Sequence, residues 1–418
     1  MSTPTTRRFA GLRTGRLRRL ITEPLVTPPK SEPRLPGLDA LRSASMVAVV
    51  AAHAAYAYVA CRLAGLPWAV SDPKRSFAFD VICWSSISWA MPAFFTLGGF
   101  AAAAIWSSKG PRGFAVDRLR RIVAPALVAL PTVLLPSLAV WTCGWFVSGR
   151  TDLTQIAGLN FVDLELLDNQ FGPAHLWFLE YLILMLGGYG IVRLVTAGAG
   201  RRLPAFAFSW MGPFALAIPT TLILWLGHAA NGLDPIMDMR NSFLPNPLRL
   251  LHHAWYFAVG TWMFAARDQL PRLKRLAPAF LALAVPIFAI RAILMRDDAE
   301  TSLRGFSAWA SVGSAALFGW LSLLGLIGLS LRIFTRSTAT IRYLADSSYW
   351  IYLTHFPVVG LAQVGLYPLP WPAWVKFAIS LSATLALGLL SYHGLVRYWA
   401  IGRRLHGIRS RRIAARQG

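Results

Sequence analysis

"RLPGLDALRSASMVAVVAAHAAYAYV", residues Arg34 to Val59, decides the fold. Pro36 and Gly37 break the chain, Asp39 suits a helix N-cap, and an apolar run follows at once, so the pattern predicts a helix beginning near Ala40. That run is long enough to cross a bilayer, yet it holds Arg42 and His53. An arginine at the centre of a membrane helix costs about 2.5–3.5 kcal/mol on insertion scales, so such residues require a reason. His53 follows Arg42 by eleven positions, a rise of roughly 16 Å and a rotation about 20° beyond three whole turns. The two side chains therefore project from nearly one face. Arg42 falls in the first turn, where Asp39 precedes it by three residues; a snorkelling anchor is the plain alternative for it. His53 is expected near the middle of the bilayer, out of reach of the interface, and a neutral imidazole bonded to a neighbouring helix is its plain alternative. Ala48, Ala51, Ala52, Ala54 and Ala55 permit close helix approach, so the stripe should face the interior of a bundle.

The same kind of run recurs along the chain. Of 418 residues, 56% are hydrophobic and 14% charged, against roughly 25% charged in a soluble domain. Apolar runs cover approximately Ala40–Ala64, Val81–Trp106, Ile122–Val147, His175–Val195, Ala205–His228, Leu248–Ala266, Leu276–Leu294, Phe306–Leu331, Tyr343–Leu366 and Ala373–Val396. The expectation is an all-α polytopic membrane protein with about ten transmembrane helices in one bundle. Residues 1–39 form a basic tail, 40–397 the transmembrane domain and 398–418 a second basic tail. The net charge of +23 is distributed unevenly: the side holding both termini carries 31 Lys and Arg against 6 Asp and Glu, the other 10 against 12. By the positive-inside rule both termini lie in the cytoplasm, as expected of a multi-pass protein of the inner (cytoplasmic) membrane. The basic charge thus reports topology, and the expected surroundings are a lipid bilayer, with no nucleic acid among the partners.

Cys61, Cys83 and Cys143 are isolated and imply no disulfide framework, and no metal site is expected. No phosphate-cradling glycine loop, nucleophile elbow or zinc-protease motif occurs. "FFTLGGFAAAA", with Gly98 and Gly99, reads as close helix packing. "DRLRRIVAP" sets Arg118 and Arg121 side by side at a cytosolic helix entrance, where two arginines can clamp phosphates or simply mark the inner side. "GPAHLWFLEYL" places His175 at the outer mouth of a helix and Glu180 deeper, a carboxylate that must be neutral, paired or hydrated. "SSYWIYLTHFPVV" adds Ser347, Ser348, Tyr352 and His355, the last well inside its run. His252 and His253 fall near an outer interface and read as solvated. The outer loop Ser148–Pro173, with Asp152, Asp163, Glu165 and Asp168, is the longest on its side and a place for an acceptor to bind.

Taken in order, "GLDALRSASMVAVVAAHA", "PAFFTLGGF", "RLRRIVAP", "HLWFLEYL" and "SSYWIYLTHFPVV" resemble the acyltransferase 3 family of multi-spanning membrane proteins, over Arg34 to about Arg404. The family's first helix carries arginine, ten residues, then histidine, which Arg42 and His53 match; Gly98 stands where the family usually has serine. The "HLWFL" and "IYLTHFP" segments look most like the branch containing glucan biosynthesis protein C, although His393 stands where an acidic residue is expected there. The resemblance implies transfer of an acyl group, acetyl, succinyl or similar, from a cytosolic acyl-CoA to a hydroxyl of a carbohydrate or glycan on the outer side. Acyl-CoA is then a donor substrate, with no tightly bound cofactor. It implies Arg42 and His53 as catalytic residues, with Arg118 and Arg121 holding the donor. His53 would act as general base or as nucleophile, Glu180 or Tyr352 would orient its imidazole, and His355 and His175 would support the site. A polytopic transporter or flippase for a small anionic or glycan-linked substrate, and a non-catalytic scaffold, are the readings that compete with it.

Overall fold

The computed structural model describes residues 35–61, 68–154, 172–196, 204–231, 241–301 and 305–398. Among them the structure is helical, without a strand. The long helices are α1 (Pro36–Ala55), α2 (Phe77–Arg118), α3 (Ala124–Val147), α4 (Trp177–Val195), α5 (Gly212–Asn231), α6 (Pro247–Ala265), α7 (Pro271–Thr301), α8 (Gly305–Ile333), α9 (Ala339–Leu366) and α10 (Ala373–Ser391). Each of the ten apolar runs falls on one of them. Among the described residues seven helical stretches are long and apolar enough to cross a membrane; one, Phe77–Val147, contains two of the expected spans. α6 and α9 are not among them; Arg249, His252 and His253 lie in the one, and His355 and Gln363 in the other.

Helix α1 departs from expectation at both ends. It starts at Pro36, with Asp39 in its first turn rather than at the cap, since proline is favoured at N1 and Gly37 lies where a Cβ would meet the Leu331 backbone at 2.8 Å. It stops at Ala55 and gives way to one 3₁₀ turn, Tyr56–Tyr58. Tertiary hydrogen bonds account for the early stop. Asp80 accepts from the Ala60 and Cys61 amides, and the Gln363 side chain donates to the His53 and Ala54 carbonyls. His53 therefore sits in the last helical turn, not at the midpoint of a longer span.

α1 is the central helix, packed by α2, α8, α9 and α10. α2 crosses α6 at a reciprocal glycine contact: a Cβ at Gly99 would lie 2.0 Å from the Phe257 carbonyl oxygen, and one at Gly260 2.0 Å from that of Thr96. Close packing is thus the role of Gly99. α2 turns at Gly110, whose φ of 67° suits glycine, immediately before Pro111. Among the described residues no disulfide joins Cys61, Cys83 and Cys143. Asp163, Glu165, Asp168 and both basic tails lie outside the described residues, apart from Leu35–Asp39 and Tyr398.

Candidate active site

Three histidines from three helical elements meet at the end of α1. His53 and His355 of α9 are edge to face with ring centroids 4.9 Å apart, and His355 meets His175, just before α4, at 5.1 Å. His175 and His355 are buried and His53 is half-buried. Each ring bonds a backbone carbonyl through one nitrogen. His53 Nδ1 lies 2.7 Å from the Val49 oxygen, His355 Nδ1 2.7 Å from that of Tyr352, and His175 Nε2 3.2 Å from that of Leu353. A carbonyl only accepts, so the bonded nitrogen carries the proton, and in a neutral ring the other nitrogen keeps a lone pair. The lone pairs then reside on His53 Nε2, His355 Nε2 and His175 Nδ1. The last two are buried and have no hydrogen-bond partner.

The sequence explains why the Leu353 carbonyl is available to another helix. In α9 its helical partner would be the amide of residue 357, and that residue is proline. "THFP" thus supplies His355 and also the acceptor that holds His175. A second tie reaches His175 from Tyr352, whose hydroxyl donates to the His175 carbonyl at 2.5 Å. Ala174, directly before it, has φ 48°, the one positive φ at a non-glycine among the described residues, and its amide donates to Asn241 Oδ1 at 2.8 Å. Such a backbone costs about 1–3 kcal/mol and persists where surrounding contacts impose it.

Aromatic rings complete the surroundings. Phe356 lies between Trp141 and His175, parallel to both, at 4.4 and 4.6 Å. Tyr56 and Trp68 flank His53 at 5.2 and 5.8 Å. Trp68 is fixed by Gln363, whose Oε1 accepts from its indole N–H at 2.7 Å. Behind this loop a buried ion pair joins Asp72 to Lys376 of α10 at 2.7 Å.

At the opposite end of α1, Arg42 pairs with Asp39 at 3.4 Å, with its side chain 40% exposed and its Nε buried without a partner. Asp117 gathers the other arginines: Arg118 at 2.7 Å, Arg121 at 3.6 Å and Lys109 at 2.5 Å. Three cations on one carboxylate leave an excess of positive charge. Arg42 is not part of that group.

Other expectations change. Glu180 makes no hydrogen bond to a histidine; its Oε2 is buried and unpartnered. Tyr352 holds His175 and not the imidazole of His53. His175 is buried rather than at an open mouth. His252 and His253 are buried as well, and His253 stacks on Phe95 at 4.5 Å, so neither is simply solvated. Trp68, Trp141, Phe356 and Gln363 also line this region, although nothing in the sequence pattern marks the three aromatic rings as site residues. Gln363, a polar residue inside an apolar run, was detectable by the argument that singled out Glu180. Among the described residues no three His, Cys, Asp or Glu side chains are arranged to hold a metal ion.

A family model described as an acyltransferase domain matches residues 35–393, from the first residue of the described bundle to the last turn after α10. No curated protein and no solved structure matches the chain.

Proposed function

The chain belongs to that acyltransferase domain family and is a multi-pass membrane O-acyltransferase, and on this premise we propose that it carries an acyl group from a cytosolic acyl-CoA to a hydroxyl of an extracytoplasmic carbohydrate or glycan. The observation that supports the reading is the His53 imidazole, tied at Nδ1 to the Val49 carbonyl and so basic at Nε2. His53 Nε2 removes the acceptor's hydroxyl proton as its oxygen attacks the thioester carbonyl. The C–S bond then breaks, and the proton returns to the departing thiolate to give the CoA thiol. Roughly 10²–10⁴-fold acceleration is typical of such proton transfer. The buried acceptor nitrogens of His175 and His355 favour a substrate rich in hydroxyl donors, which a carbohydrate is.

Arg42 and the Asp117-centred group of Arg118 and Arg121 attract the donor's phosphates at the cytosolic end, while its thin pantetheine arm passes along α1 toward His53, roughly 16 Å away. On this reading the protein sits in the inner (cytoplasmic) membrane with both termini in the cytosol, which the uneven distribution of basic residues supports. The test is purified full-length protein in proteoliposomes with radiolabelled acetyl- or succinyl-CoA and surface glycan. CoA release matched by label in the glycan is expected; glycan crossing the membrane unmodified, with no CoA released, would overturn the reading in favour of transport.

A further inference from the structure

The last turn of α1 is held from α9 by one side chain that takes no part in the proposed proton transfer. Phe356, Gly360 and Gln363 follow one another at four and then three residues in α9, which sets them on one face of that helix. Gly360 lets the Trp141 ring come close, since a Cβ there would lie 2.5 Å from a ring carbon. Gln363, one turn further on, is buried, and an amide in that position must find partners for two donors and an acceptor.

It finds them around His53. Nε2 donates to the His53 carbonyl at 3.2 Å and to the Ala54 carbonyl at 2.9 Å, in the turn where helix carbonyls run out of helical donors. Oε1 accepts from the Trp68 indole N–H at 2.7 Å. A reversed amide would set its oxygen against two carbonyls and its NH₂ against the indole N–H, so one orientation satisfies the site. The Trp68 backbone is secured separately, its carbonyl accepting from the Trp145 indole at 3.3 Å and from the Arg150 guanidinium at 3.2 Å. What Gln363 decides is where the indole ring stands. That ring lies 5.8 Å from the His53 imidazole and 4.9 Å from Tyr56, which flanks the imidazole too.

We infer that Gln363 is a positioning residue for His53, its one amide holding both the main chain that bears the imidazole and the indole that confines it. The Val49 carbonyl fixes the ring through Nδ1, but Val49 and His53 share a helix and move together. Gln363 ties them to α9, the helix that also carries His355. The placement of His53 against His355 is therefore held by hydrogen bonds as well as by packing. The inference rests on the proposed acyl transfer for what the imidazole does, whereas its hold on His53 is measurable without turnover. A reacting group displaced by about 1 Å loses up to roughly 10²-fold in rate.

The experiment compares the full chain in proteoliposomes with Gln363→Met, which keeps the length but removes donors and acceptor, and with Trp68→Phe, which keeps a ring but removes the N–H. Gln363→Met is expected to lower kcat by about 10–100-fold. The acyl-CoA concentration for half-maximal rate should stay within about twofold of wild type, because the donor's phosphates are attracted at the opposite end of α1. Trp68→Phe should lower kcat by about fivefold or more, and the double variant should be no slower than Gln363→Met, since both changes open one link. The arm without turnover is carbethoxylation by diethyl pyrocarbonate, resolved by mass spectrometry. His53 should react about fivefold faster in Gln363→Met while the buried His253 is unchanged. Wild-type kcat in both variants, losses that multiply in the double variant, or His253 accelerating together with His53 overturns the inference, the last by showing general loosening. Trp68→Phe carries the test if Gln363→Met does not fold. A wild type that transfers no acyl group would sink the proposed reaction, and the reactivities of His53 and His253 would still decide on Gln363.

Discussion

His53 and His355 meet edge to face at 4.9 Å, joining the last turn of α1 to the middle of α9. This contact places His53 within a wider constellation of rings, and the expected behaviour of variants follows from who touches whom.

His53→Ala should lower acyl transfer by about 10²-fold or more while the protein still inserts and purifies as wild type. The check is initial rate against acyl-CoA concentration. A native rate would remove His53 from the chemistry.

Arg42→Ala should act on the donor. Among the described residues its one ion pair is with Asp39, in the same helix and partly exposed, so stability should change little. The acyl-CoA concentration for half-maximal rate should rise about tenfold or more with kcat nearly kept. An unchanged concentration dependence would leave Arg42 as an interfacial anchor.

Pro357→Ala offers a contrast between stability and activity. Alanine restores an amide able to bond the Leu353 carbonyl within α9, in competition with His175 Nε2. Thermal stability in detergent should hold or rise, whereas turnover should fall by about 10–100-fold as His175 loses its tether. Equal turnover in the variant would mean that this tether does not position His175 for catalysis.

Asp72→Asn or Lys376→Met leaves one buried charge alone, at an expected cost of about 3–5 kcal/mol each, and the double variant should recover much of it. Side chains only 2–3% exposed justify the buried figure. Additive losses in a double-mutant cycle of thermal melts would contradict the pairing.

The sequence made part of this site legible. Arg42 and His53 were visible because a charge and an imidazole in an apolar run are costly, and helix periodicity put them on one face. His355 was visible for the same reason, and the packing role of Gly99 followed from its place among small residues. Aromatic residues were not, since Trp68, Trp141 and Phe356 look the same in sequence whether they face lipid or line a site. The end of α1 was hidden too. "AYVACRLAG" continues the apolar pattern, and only Asp80 and Gln363, remote in the chain, draw its backbone out of the helix. The tie between Pro357 and His175 is a statement about two helices, so no single run could display it.

The parallel rings of Trp141, Phe356 and His175 have a consequence for yield as well as for shape. Water is itself a hydroxyl acceptor, far more abundant than any glycan, and a basic imidazole activates both. The carbon faces of Trp141 and Phe356 offer water almost nothing to bond, so on the proposed reaction an acyl donor beside His53 would be shielded from hydrolysis on that side until the acceptor hydroxyl arrives. Phe356→Ser should therefore turn a transferase toward a thioesterase: CoA release continues, while the fraction of acyl groups recovered on glycan drops. The ratio of those two products measures how tightly the stack keeps the reaction dry.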